Sequence, residues 1–216
     1  MRNIEEFEDR LPLSFRDQFR ALTSPALIQA YLDDLPYIAE VLDRSPLRLM
    51  IDRQGHCLDG AIFAALALGR LGHRPLLLDL VPAPGLDDDH VLALYSVDGL
   101  WGCVAKSNYP VLRSREPVYR SFRELAMSYF DFYFNTEKVR SLRGYTRPLD
   151  LSRLPPHWMW NEAGIAQLSG YLYSRKPIPL ISPSNAARLS PGDERTYRAA
   201  SLGTDFSWAY GVRENK

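Results

Sequence analysis

The stretch RQGHCLDGAIFAALALGRLG, residues 53–72, sets Cys57, one of two cysteines in the chain, at the head of an almost unbroken apolar run. From Leu58 to Leu71 apolar residues cover nearly the whole helical circumference, which predicts a helix buried on most sides. Gly72 closes it as a C-cap. The helix begins straight after Gly55, so the thiol sits in its first turn. Backbone N–H groups there lack a partner inside the helix, and with the helix dipole they favour the thiolate, the nucleophilic form of cysteine. The same amides can hold the oxyanion that forms when sulfur attacks a carbonyl. This is the chemistry of acyl transfer and of amide hydrolysis through a thioester. Gln54, just before the helix, reads either as a further oxyanion donor or as a solvated loop residue.

A thiolate nucleophile needs an imidazole, and the chain has four histidines. Two successive helical residues point about 100° apart, which sets His56 aside as a partner for Cys57. His73 lies at the far end of the same helix and His157 in a proline-rich segment, whereas His90 opens a strand directly after the acidic loop Asp87-Asp88-Asp89. That loop reads as solvated rather than cation-binding. The strand and its successor flank Asp98-Gly99, a dipeptide that favours a type I′ turn, so 90–97 is expected to pair with 100–107. In that register His90 faces Ser107, and a one-residue slip brings Asn108 opposite instead. Either side chain could accept a hydrogen bond and fix the imidazole tautomer, as the third member of a triad does. Cys103, mid-strand with Trp101 and Ala105 on its face, reads as core.

Other elements frame these residues. The N-terminal segment IEEFEDRLPLSFRDQFRAL is read as two short helices divided by Pro12, and Ser24-Pro25 as the cap of a third. LLLDLV, 76–81, reads as an interior strand, and SFRELAMSYFDFYF, 121–134, as a helix capped by Ser121 with Glu124. Residues 1–140 are taken as the core domain. Residues 141–216, rich in proline and carrying Trp158, Trp160 and Trp208, are taken as an extension that wraps the core or is partly disordered, with a short helix near 162–173.

Twenty-six basic and 26 acidic residues cancel, leaving no global field for nucleic acid or an anionic membrane. The longest apolar run is too short to span a bilayer and no secretory signal is visible, so a cytoplasmic protein with reduced thiols is expected. No CxxC or HExxH spacing points to a metal site, and no glycine-rich phosphate loop occurs. Neither a cofactor nor a metal is expected.

Cysteine opening a buried helix, histidine opening a strand and a polar residue after the next strand together resemble the transglutaminase-like superfamily. That superfamily shares the papain-like arrangement and includes the arylamine N-acetyltransferases. The residues that carry the resemblance are Gly55-x-Cys57, His90 with its strand, and WGCVAKSN, where Trp101 precedes Ser107-Asn108; they span roughly residues 47–110. The resemblance implies an α+β fold with N-terminal helices and a central helix bearing Cys57 packed on an antiparallel sheet. It implies Cys57 as nucleophile, His90 as base, Asn108 (or Ser107 by register) as orienting residue, and Trp101 near the substrate. The implied activity is that of a cysteine peptidase, amidase or acyltransferase on a peptide, protein or small acyl donor. Family members usually place an aromatic residue after the cysteine and aspartate at the third position, where this chain has Leu58 and, at the corresponding spacing, Ala105-Lys106. These departures fit the alternative of a catalytically inactive binding module on the same fold.

Overall fold

The computed structural model describes residues 2–211. Its helical front begins with α1 (Arg2–Arg10) and α2 (Leu13–Ala21), divided at Pro12 as expected, then α3 (Pro25–Asp33) and α4 (Pro46–Asp52). Proline opens both α3 and α4 at a position where the missing N–H costs nothing. Ser24 and Ser45 cap them by accepting hydrogen bonds from Leu27 N and Arg48 N. The central helix α5 (Cys57–Arg70) is buried from Leu58 to Leu68. It ends in a Schellman turn, in which Gly72 at φ 92° lets the His73 amide reach back to the Leu68 carbonyl.

The strands that follow are β1 (Leu76–Pro82), β2 (His90–Val97), β3 (Leu100–Val104), β4 (Arg115–Tyr119), β5 (Leu142–Tyr145), β6 (Leu149–Asp150) and β7 (Ile178–Pro179). Among the described residues they form one antiparallel sheet in the order β4-β3-β2-β1-β5-β7, with β6 also pairing to β1. The β2–β3 hairpin has the register expected from its turn: Leu94 faces Cys103, Val97 faces Leu100, and Asp98 and Gly99 take φ 50° and 80°. Pairing stops at Ala93 with Val104, so neither Ser107 nor Asn108 lies opposite His90 in the ladder.

Alternation along β1 and β2 divides the core between two faces. Leu77, Val91, Ala93 and Tyr95 pack beneath α5, while Leu78, Leu80, Leu92 and Leu94 pack on the other face with Cys103, Tyr129 and Tyr133. The aromatic stretch after Ser121 forms a shorter helix than expected, α6 (Phe122–Met127), followed by a 3-10 turn. Tyr129 and Tyr133 are drawn into the second core cluster, and this packing outweighs continued helix.

The boundary drawn at residue 140 does not separate an extension from the sheet. β5 and β6 pair directly with β1, and α7 (Glu162–Tyr173) buries Ile165, Leu168 and Leu172 in the same cluster as α5. Two short helices, α8 (Pro183–Ala186) and α9 (Glu194–Ala200), and a 3-10 turn at Phe206–Trp208 follow. The architecture is α+β, with Cys57 at the start of a central helix that packs on an antiparallel sheet. Among the described residues no helix is long and apolar enough to cross a membrane.

Candidate functional site

Cys57 is the first helical residue of α5 and is half-buried, its sulfur 3.9 Å from the Asp89 carbonyl oxygen. The imidazole beside it is that of His56. The 100° rule that set His56 aside holds for two helical residues, but His56 is the N-cap, with extended backbone at φ −104° and ψ −168°. This conformation lets its ring reach the Cys57 side chain.

The local sequence holds His56 in place. Asp59, three residues on, is fully buried and accepts hydrogen bonds from the His56 amide (3.1 Å) and the Arg44 amide (2.6 Å). This is the backbone-directed half of a capping box. Gly55 makes room for it, since a β-carbon there would lie 2.8 Å from Asp59 Oδ2. The His56 Nε2 atom lies 3.3 Å from an Asp43 oxygen and 3.4 Å from Asp59 Oδ1. It satisfies ion-pair distance to both carboxylates without alignment for a hydrogen bond to either. Asp43 in turn accepts a 2.8 Å hydrogen bond from Ser169 of α7.

Burial alone would make the His56 imidazole less basic. The interactions with Asp43 and Cys57 and the charge of Asp59 outweigh it and push the ring up to about 10. His56 is therefore an imidazolium at neutral pH. Burial raises the Asp59 carboxyl against the opposing pull of His56 and the Arg44 amide, whereas His56 and Ser169 hold Asp43 below the usual carboxylate range despite burial. Asp43, His56 and Asp59 each offer one ligand atom, all within 4.8 Å, a donor set a divalent ion accepts. Such an ion would compete with the proton on His56.

A second group of carboxylates adjoins the thiol. Asp79 interrupts the apolar run of β1 on the α5 face, and Asp89 ends the loop just before β2. Burial raises both carboxyls, and the charge of Asp89 raises Asp79 further. The Tyr173 hydroxyl hydrogen-bonds Asp89. The acidic loop is thus only partly solvated: Asp88 is exposed, Asp87 accepts from Ser141 at 2.6 Å, and Asp89 turns inward.

The other residues expected at the site lie apart from the thiol. His90 alternates with Leu92 and Leu94 and so points away from the α5 face. Its Nε2 atom is 2.7 Å from the Leu112 carbonyl and its ring packs edge-on against Tyr129. Burial, joined by the charge of Arg115, outweighs the Leu112 carbonyl and lowers His90 to about 4, so it is neutral at pH 7. The expected contact between Cys57 and His90 is not formed, because the strand's two-residue period turns the ring to the other face. Asn108 clamps the backbone of Asp205 through bonds of 2.8 and 3.0 Å, and Ser107 Oγ accepts from the Tyr109 amide. Together with His90 they line a small cavity of about 50 Å3. Trp101 packs against Phe122 at the opposite end of the sheet, 4.6 Å between ring centres, and so lies away from the thiol. Gln54 is half-buried in the turn before α5.

Three features of the sequence carried a signal for the residues that do surround Cys57. His56 and Asp59 stand at N-cap and N3 spacing, Asp79 is a carboxylate inside an interior strand, and Asp89 is two residues before Val91 and so in phase with Val91 and Ala93, which face α5. Asp43, Ser169 and Tyr173 arrive from distant segments through packing of α4 and α7, and carried no local signal.

No model of a known protein family matches the chain, and no curated protein matches it in sequence. Among solved structures, LapG of Legionella pneumophila (EGTA-treated) resembles it with a TM-score of 0.35 and 13% identity, over 48% of this chain and 68% of that one. This likeness concerns part of the fold alone.

Proposed function

We propose that the chain carries out cysteine-dependent hydrolysis or transfer of an acyl group, with Cys57 as nucleophile and His56 as its acid–base partner. The observation that carries this reading is the half-buried thiol at the first position of α5 beside an imidazolium held between Asp43 and Asp59. The Cys57 sulfur, as thiolate, attacks the carbonyl carbon of an amide or ester, and the carbonyl π electrons move to oxygen. Amides of the first turn of α5 face the developing oxyanion. Collapse breaks the bond to the leaving group, which takes a proton from His56 at Nδ1, the ring nitrogen not held between Asp43 and Asp59, and leaves a thioester on Cys57. The neutral imidazole then removes a proton from water or from an acceptor amine, which attacks the thioester and returns the thiolate and imidazolium. Asp43 and Asp59 orient the ring and stabilise its charged form, the part aspartate plays in a triad.

The test is acylation by an activated ester such as p-nitrophenyl acetate, followed by intact-protein mass spectrometry and peptide mapping. The reading expects one acetyl group on Cys57 that turns over, and loss of turnover in both Cys57→Ser and His56→Gln. Stoichiometric acetylation without turnover in the native chain contradicts it. That result favours the non-catalytic binding module, a reading supported by the burial of His90 and the engagement of Asn108 with Asp205.

A further inference from the structure

A cleft of about 640 Å3 lies at the other end of the sheet from Cys57. It opens where β1 starts at Leu76, four residues and about 13 Å along the strand from Leu80, which pairs with His90 next to the thiol's carbonyl contact. Its volume is in the range of small-molecule sites.

Its walls are basic although the whole chain is neutral. Arg74, Arg147, Arg153 and Arg175 line it against one carboxylate, Asp150. Asp150 is already shared, with Arg74 at 2.6 Å and Arg153 at 3.7 Å. Among the described residues neither Arg147 nor Arg175 has a carboxylate within ion-pair distance. Arg175 makes one weak contact, 3.4 Å to the Arg147 carbonyl, and its buried Nε has no acceptor. An unsatisfied guanidinium donor is costly to bury, and paired forks of this type match the oxygens of phosphate. Beside the arginines the cleft has flat apolar walls: Trp101, half-buried against Phe122, and Tyr171, 46% exposed.

We infer that this cleft, with Arg147 and Arg175 as its uncommitted cations and Trp101 and Tyr171 as its flat walls, binds a phosphate ester that carries a ring, of the nucleoside-phosphate class. The arginines hold the phosphoryl oxygens in bidentate fashion and the ring lies on an aromatic wall. The site is separate from Cys57 and does not depend on the catalytic reading above.

Titration calorimetry of the full chain with ADP, pyrophosphate and adenosine tests the inference. ADP is expected to bind with a Kd well below about 1 mM and at least about tenfold tighter than either pyrophosphate or adenosine. Arg147→Gln/Arg175→Gln should weaken ADP at least about tenfold while Cys57→Ser leaves it unchanged. A melting curve of the double variant checks that it remains folded. The inference is overturned if the native chain shows no saturable ADP binding, if pyrophosphate or adenosine binds as tightly as ADP, or if the folded double variant binds ADP as well as the native chain does. The native-chain arm stands whatever the variant's stability.

Discussion

If His90 is a buried neutral residue, acid should unfold the protein partly through it. Its pKa is lowered to about 4 by burial, against 6.5 for a free imidazole. The sign follows from proton binding. Between pH 6.5 and 4 the unfolded chain holds more protons at His90 than the folded chain does, so stability is lost as pH falls through that window. At pH 4.5 the two states differ by a factor of about 75 in proton binding at this site, which corresponds to about 2.5 kcal/mol. His56 acts in the opposite sense: raised to about 10, it contributes stability that is full below pH 6.5 and is lost as pH rises through 10. The native pH profile therefore mixes the two, and the variant His90→Gln, whose amide can still donate to Leu112 O, isolates one of them. Urea unfolding of both proteins at pH 8 and pH 4.5 gives the double difference. The native chain should lose about 2.5 kcal/mol more than the variant on acidification. A double difference below about 0.5 kcal/mol would mean that His90 titrates as an ordinary exposed histidine and is not held in the buried position away from the thiol.

Three further outcomes follow from the packing around the site. Gly60→Ala places a β-carbon 2.3 Å from Lys106 Cβ, so about 1–3 kcal/mol of stability should be lost, read as a lower urea midpoint; an unchanged midpoint would contradict the close crossing. Gln29→Leu removes the partners of both the Ala105 N–H and the Ala105 carbonyl, which Gln29 bonds at 3.0 and 2.9 Å, and should cost about 2 kcal/mol or more by the same measurement. Asp43→Asn should bring the His56 titration down from about 10, observable in imidazole proton shifts by NMR, because it removes the carboxylate nearest to Nε2; a titration that stays put assigns the stabilisation to Asp59 alone.

The elements that set the frame were readable because their signals are local. Pro12, Ser24-Pro25, Asp98-Gly99 and Gly72 each fix a backbone state through their own chemistry, and each stands where its residue type demands. The circumferential burial of α5 and the interior position of β1 came from apolar runs in the same way. What failed was side-chain direction at element ends. His56 is an N-cap and so escapes the 100° spacing of helical neighbours, and strand alternation sends the His90 ring to the far face of the sheet. The C-terminal third is less legible because β5 and β6 are short strands whose place beside β1 is set by long-range pairing, to which proline content is no guide. Ser169 and Tyr173 reach the site only through that packing.

The central claim is that Cys57 is paired with His56 and not with His90. It is tested most directly by the rate of Cys57 alkylation with iodoacetamide across pH in the native chain, His56→Gln and His90→Gln. Cys103 is fully buried beside Tyr129 and stays silent. The account predicts that His56→Gln slows alkylation at neutral pH about tenfold or more, while His90→Gln leaves the rate unchanged. Slowing in His90→Gln with a native rate in His56→Gln would contradict it.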